Sequence, residues 1–143
     1  MLRAAERVLR ESEGLLCDQH ATRYQARRLR VFALSAAAEA SEEEGTREPA
    51  QMVGALEACV DCMQAHLPPA HPELAFFRRR LAQALAQQAA AAAPGSVARR
   101  QLARRGRAAA EASVHALATA YGSDHPQVAL WRHDHERQYR QYM

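Results

Sequence analysis

The 143-residue chain contains no Lys, no Asn and no Ile, so all 19 of its basic residues are Arg. The missing residues have AT-rich codons, while the abundant Ala, Arg, Gly and Pro have GC-rich ones. A GC-biased genome is the simplest reading, and it discounts every arginine cluster, because Arg here also fills the positions that Lys would take. The net charge of +3 is therefore weak evidence for a nucleic-acid partner. Aromatic residues make up only 6% of the chain, and there are six Gly and six Pro, which excludes collagen-like and low-complexity classes. Three cysteines, Cys17, Cys59 and Cys62, form no even disulfide framework, so a soluble protein of a reducing compartment, cytoplasmic or nuclear, is expected. The first residues carry charges every few positions and no apolar stretch, unlike a signal peptide. The longest charge-free run, residues 81–98, is too rich in glutamine and small residues to span a membrane, and no membrane partner is expected.

What the chain does have is alanine, 33 residues of it, the best helix former and a poor strand former. An all-α fold follows. Six helices are predicted, at about 2–17, 21–43, 49–66, 72–93, 97–121 and 126–142. The first places Ala5, Val8, Leu9, Leu16 and Cys17 near one stripe. The second ends in the acidic run from Glu42 to Glu44 and Gly45. Thr46 and Pro49 suit the start of the third, which carries Met52, Val53, Leu56, Cys59, Val60 and Met63 at helical spacing. Pro94-Gly95-Ser96 and Gly122-Ser123-Asp124 separate the last three.

A signal recurs at helix starts. His71-Pro72, Ala75 and Arg78 align with His125-Pro126, Ala129 and Arg132 at an offset of 54 residues, and a fainter copy at His20-Ala21 lies 51 residues earlier. Proline at the first helical position loses no hydrogen bond and has a helical φ already. Helix pairs recurring at a near-fixed period mark an α-solenoid. We therefore expect one TPR-like superhelical domain of long, irregular repeats over 1–143, although the usual tetratricopeptide consensus is absent. A plain bundle explains the helices but not the recurring His-Pro.

The sequence Tyr24-Gln25-Ala26-Arg27-Arg28-Leu29, then His66-Leu67-Pro68-Pro69-Ala70-His71-Pro72, then Tyr121-Gly122-Ser123-Asp124-His125-Pro126 resembles the C-terminal helical domain of SET-and-MYND protein-lysine methyltransferases. That family carries a Tyr-Gln-x-x-x-Leu start, a Pro-x-x-His-Pro turn and a later His-Gly-x-x-His turn in this order. The likeness covers residues from about 20 to 135. Kinesin-light-chain TPRs, with their Gly-x-x-His-Pro turn, are the second resemblance. The chain has no MYND cysteine cluster and no SET signature, so it cannot bind S-adenosylmethionine in the family's way. The resemblance implies a non-catalytic protein-interaction module that, in a longer methyltransferase parent, shapes the substrate cleft.

Few residues suggest chemistry. Cys59-x-x-Cys62 with His66 has metal-like spacing on one helical face, but structural zinc needs four ligands and Cys59 sits in an apolar stripe, which favours a core role. His133 and His135 point about 200° apart on a helix and cannot chelate together, so a solvated surface is expected there. His71 and His125 read as caps. No nucleophile elbow or phosphate loop is present. Neither an enzyme activity of this chain, a cofactor, a metal nor a catalytic residue is expected. Arg100, Arg104 and Arg107 share one helical face. TPR clamps for carboxylate tails commonly use Lys and Asn, which are absent. The expected partner is a protein or acidic peptide gripped by Arg27, Arg28, Arg78 and Arg79. The alternative is a basic helical domain that binds nucleic acid, made less attractive by the lack of aromatics between the arginines.

Overall fold

The computed structural model describes residues 1–17, 20–40 and 49–140. They form six α-helices and no strand: α1 (Leu2–Glu11), α2 (Ala21–Ala40), α3 (Pro49–His66), α4 (Pro72–Ala91), α5 (Val97–Tyr121) and α6 (Pro126–Tyr139). The protein is an all-α helical array. Its chain divides into two compact units, Met1–His66 and Leu67–Met143. The acidic run at 42–44, Gly45 and the Thr46 cap lie outside the described residues.

In the first unit, α1 is shorter than expected. The Ser12 hydroxyl donates back to the Leu9 carbonyl at 3.2 Å, competing with the helical ladder. Gly14 then takes φ +75°, a conformation that favours glycine, and the helix cannot pass it. Residues 15–17 therefore leave the expected stripe. Ala5 is buried, but Val8 stays 37% exposed and Cys17 is exposed. Arg23 bonds the Ser12 hydroxyl at 3.4 Å, and Arg30 pairs with Glu6 at 3.7 Å, tying α2 to α1. On α3 the predicted stripe is buried: Val53, Leu56, Cys59, Val60 and Met63, with Met52 half-buried. Val31, Leu34 and Ala26 of α2 are buried as well.

In the second unit, α4 and α5 are antiparallel neighbours joined by the five residues 92–96. Ser96 caps α5 by accepting from the Arg99 N–H at 3.1 Å, and Gly95 before it has φ +73°. The facing stripes are rich in small residues: Ala82, Ala86 and Ala89 on α4, with Leu85 between them, and Ala103, Gly106 and Ala110 on α5. Small residues let two helix backbones approach closely and gain dispersion along their length. At Gly106 the space is taken. A Cβ there would sit 2.9 Å from Tyr139 Cζ and 3.1 Å from Leu85 Cβ, and would meet the Tyr139 hydroxyl. That hydroxyl donates to the Ala82 carbonyl at 2.6 Å, pinning the end of α6 on the seam. At the other end, Ala75, Ala116, Leu117, Val128 and Trp131 form a second apolar cluster.

The recurring helix-start signal builds the same device three times. The Nδ1 atoms of His20, His71 and His125 each accept the N–H two residues on, from Thr22, Glu73 and Gln127, all at 3.2 Å. The proline after His71 and after His125 fills the first helical turn. The capping reading of these histidines stands, and the faint copy at His20 has the same geometry.

Candidate functional site: arginine surfaces

The four arginines expected to grip an acidic peptide fall in different units: Arg27 and Arg28 on α2 of the first, Arg78 and Arg79 on α4 of the second. All four are half-buried. Arg28 lies over the Tyr24 ring, with Cζ 5.5 Å from the centroid, and donates to Gln25 Oε1 at 3.4 Å. Arg78 donates to the Pro69 carbonyl at 3.4 Å. Burial lowers its pKa from the ordinary value, although a guanidinium remains a cation at neutral pH.

Arg79 has the most committed surroundings. Its Nη2 meets Asp134 Oδ2 at 2.7 Å, and its Cζ stands 4.7 Å from the centre of the Trp131 ring. A guanidinium stacked on indole and paired with a carboxylate is a favourable arrangement for Arg. The pair links α4 to α6 and borders a small open cleft, whose polar lining includes Gln83, Ser113 and His135. The Ser113 hydroxyl is satisfied by the Ala110 carbonyl at 2.7 Å.

The segment from His133 to His135 is only partly the solvated surface expected. His133 is exposed, but Asp134 and His135 are half-buried. Burial chiefly lowers the His135 pKa, aided by the Arg107 charge and opposed by Glu111 and Glu136. His135 is therefore mostly neutral at pH 7 and rests edge-on to Tyr139, with centroids 5.4 Å apart. No single-residue signal marked Asp134 as a partner of Arg79, because 55 residues separate them.

Cys59 and Cys62 are both buried, and His66 instead approaches the Tyr24 ring, with centroids 6.4 Å apart. Among the described residues no group of three or more His, Cys, Asp or Glu is placed to hold a metal ion. No helix is long and apolar enough to cross a membrane among the described residues.

The densest basic surface lies on α5. Arg100, Arg104, Arg105 and Arg107 are exposed on this helix. Arg100 donates to the Gly95 carbonyl at 2.9 Å, and Arg107 pairs with Glu111 at 2.9 Å. Arg104, between them, makes no ion pair or hydrogen bond among the described residues. The second unit as a whole holds 11 Arg against five carboxylates, a net +6, whereas the first holds eight against 11, a net −3.

No family model matches the chain, and neither curated proteins nor solved structures provide a match.

Proposed function

We propose that this chain is a non-catalytic protein-interaction module that binds an acidic peptide or acidic protein segment through arginine side chains. Its repeat character is TPR-like, and its likeness to the C-terminal helical domain of SET-and-MYND lysine methyltransferases makes a place beside a substrate cleft in a longer parent part of the same proposal. The observation that carries the reading is the charge division. The second unit concentrates a net +6 on a short helical frame, with five arginines between residues 99 and 107. The repeated His-Pro helix starts support the repeat reading, because identical local chemistry at two helix starts is expected of duplicated units.

Guanidinium groups suit this partner, since their planar fork matches a carboxylate with two parallel hydrogen bonds. The test is a fluorescence anisotropy titration of the chain into a labelled peptide ending in several acidic residues, repeated at rising salt. Saturable binding that weakens with salt is the expected result. No saturable binding overturns the proposal. Tighter binding to a duplex oligonucleotide than to any acidic peptide, falling steeply with salt, would favour the nucleic-acid alternative.

A further inference from the structure

The exposed stripe of α5 has a charge order as well as a charge. Arg100, Arg104, Arg107 and Glu111 follow one another at spacings of four, three and four residues, which keeps them on one side of the helix. All four are exposed. At about 1.5 Å of rise per residue the stripe runs roughly 16 Å, three turns of helix. Its signs read plus, plus, plus, minus. We propose that this stripe is the docking surface for an acidic helix, and that Glu111 fixes the register and direction in which that helix lies.

The argument rests on complementarity. Three guanidinium groups in a row attract any polyanion, but the row ends on a carboxylate. A uniform polyanion that followed the stripe would bring like charge against Glu111. A peptide helix avoids that cost by placing a base opposite Glu111 and acids opposite the arginines. Helix dipoles favour an antiparallel neighbour. In that sense the partner meets Glu111 first, so its pattern from N- to C-terminus is Arg, then Glu at the fourth, seventh and eleventh positions after it. Arg104 is free to pair, and Arg100 donates to the Gly95 carbonyl from one nitrogen of a five-donor guanidinium. The Arg107–Glu111 pair is exposed on both sides, at 51% and 56% of the side chains, so little is lost when it is shared with a partner.

This inference rests on the acidic-partner reading and adds its site and pattern. It is tested with the full chain and two labelled Ala-based helical peptides. One carries the Arg-first pattern. The other replaces that Arg with Glu. The unaltered chain should prefer the Arg-first peptide by about fivefold, the span of an exposed pair gained and a repulsion avoided. Arg104→Gln should weaken both peptides by about threefold and leave the preference intact. Glu111→Gln should abolish the preference. Both positions are exposed, and unchanged far-ultraviolet circular dichroism verifies that each variant is folded.

Equal affinity of the unaltered chain for the two peptides overturns the proposal, as does a preference that survives Glu111→Gln. If both peptides bind saturably but neither variant changes them, the α5 stripe is not the site and the module reading stands. If neither peptide binds, both fall. A duplex oligonucleotide bound more tightly than either peptide overturns the helix partner in favour of a phosphate backbone.

Discussion

The two units differ most in how much of their buried surface is alanine. In the first, α3 buries Val53, Leu56, Val60 and Met63, side chains of three or four heavy atoms. In the second, α4 and α5 meet along Ala82, Ala86, Ala89, Ala103 and Ala110 with Gly106 among them, while Leu85 and Tyr139 close on the glycine and α4 also buries Leu74, Phe77 and Leu81. A core of large side chains is sensitive to losing atoms. A seam of small ones is sensitive to gaining them. The same contrast holds in charge: the first unit is net acidic, the second strongly basic.

The largest expected effect belongs to the first unit. Leu56 is 1% exposed, and Leu56→Ala should cost about 2–5 kcal/mol, read as a shift in the urea midpoint. A loss under about 1 kcal/mol would show that the site collapses freely and would remove the contrast. In the second unit the informative change adds a single methyl. Gly106→Ala normally stabilises a helix by about 0.5–1 kcal/mol. Here the new Cβ meets Tyr139 and Leu85, so a net loss of about 1–3 kcal/mol is expected. Pairing it with Tyr139→Phe sharpens the test, because removing the hydroxyl relieves part of the clash and the two losses should not add. Stabilisation by Gly106→Ala would mean that Tyr139 moves aside at little cost.

Next come the caps. His125→Ala should cost about 1 kcal/mol by thermal melt, and His125→Asp should restore most of it, since a carboxylate oxygen replaces Nδ1 as acceptor. The smallest effect is a pH dependence. The His135 pKa is lowered in the folded state, so the unfolded chain binds more protons there below about pH 6.5. Stability from this group is full above that pH and falls as the pH drops toward the folded value. The decisive measurement is therefore the difference between the unaltered chain and His135→Gln, whose melting temperature should fall less between pH 7.5 and 5.5. Parallel curves would show that His135 contributes nothing to it.

Much of the fold is legible in the residues because its punctuation is chemical. Pro49, Pro72 and Pro126 open helices where a missing N–H is harmless, and α3, α4, α5 and α6 begin at the expected residues. The end of α1 is not legible, since Leu16 and Cys17 suggest continuation and the Ser12 back-bond with the Gly14 backbone angle decides that it stops. The arginine candidates were legible as cations but not in their commitments. Arg79 looks free in sequence and is joined to Asp134 and Trp131 in space. Nor does periodicity reveal the division at His66. It reports which face of a helix is apolar, not which helix that face meets.

The alanine seam has a further consequence, for the order of assembly. Ala gives up almost no side-chain entropy on burial, whereas Leu, Met or Gln each surrender rotamers. The α4–α5 pair also closes only a five-residue connection, and short loops are quick to close. Nearby partners and little freedom to lose make this helical hairpin the natural nucleus of its unit. Substitutions along the seam should therefore slow folding, while those at Trp131 should mainly hasten unfolding.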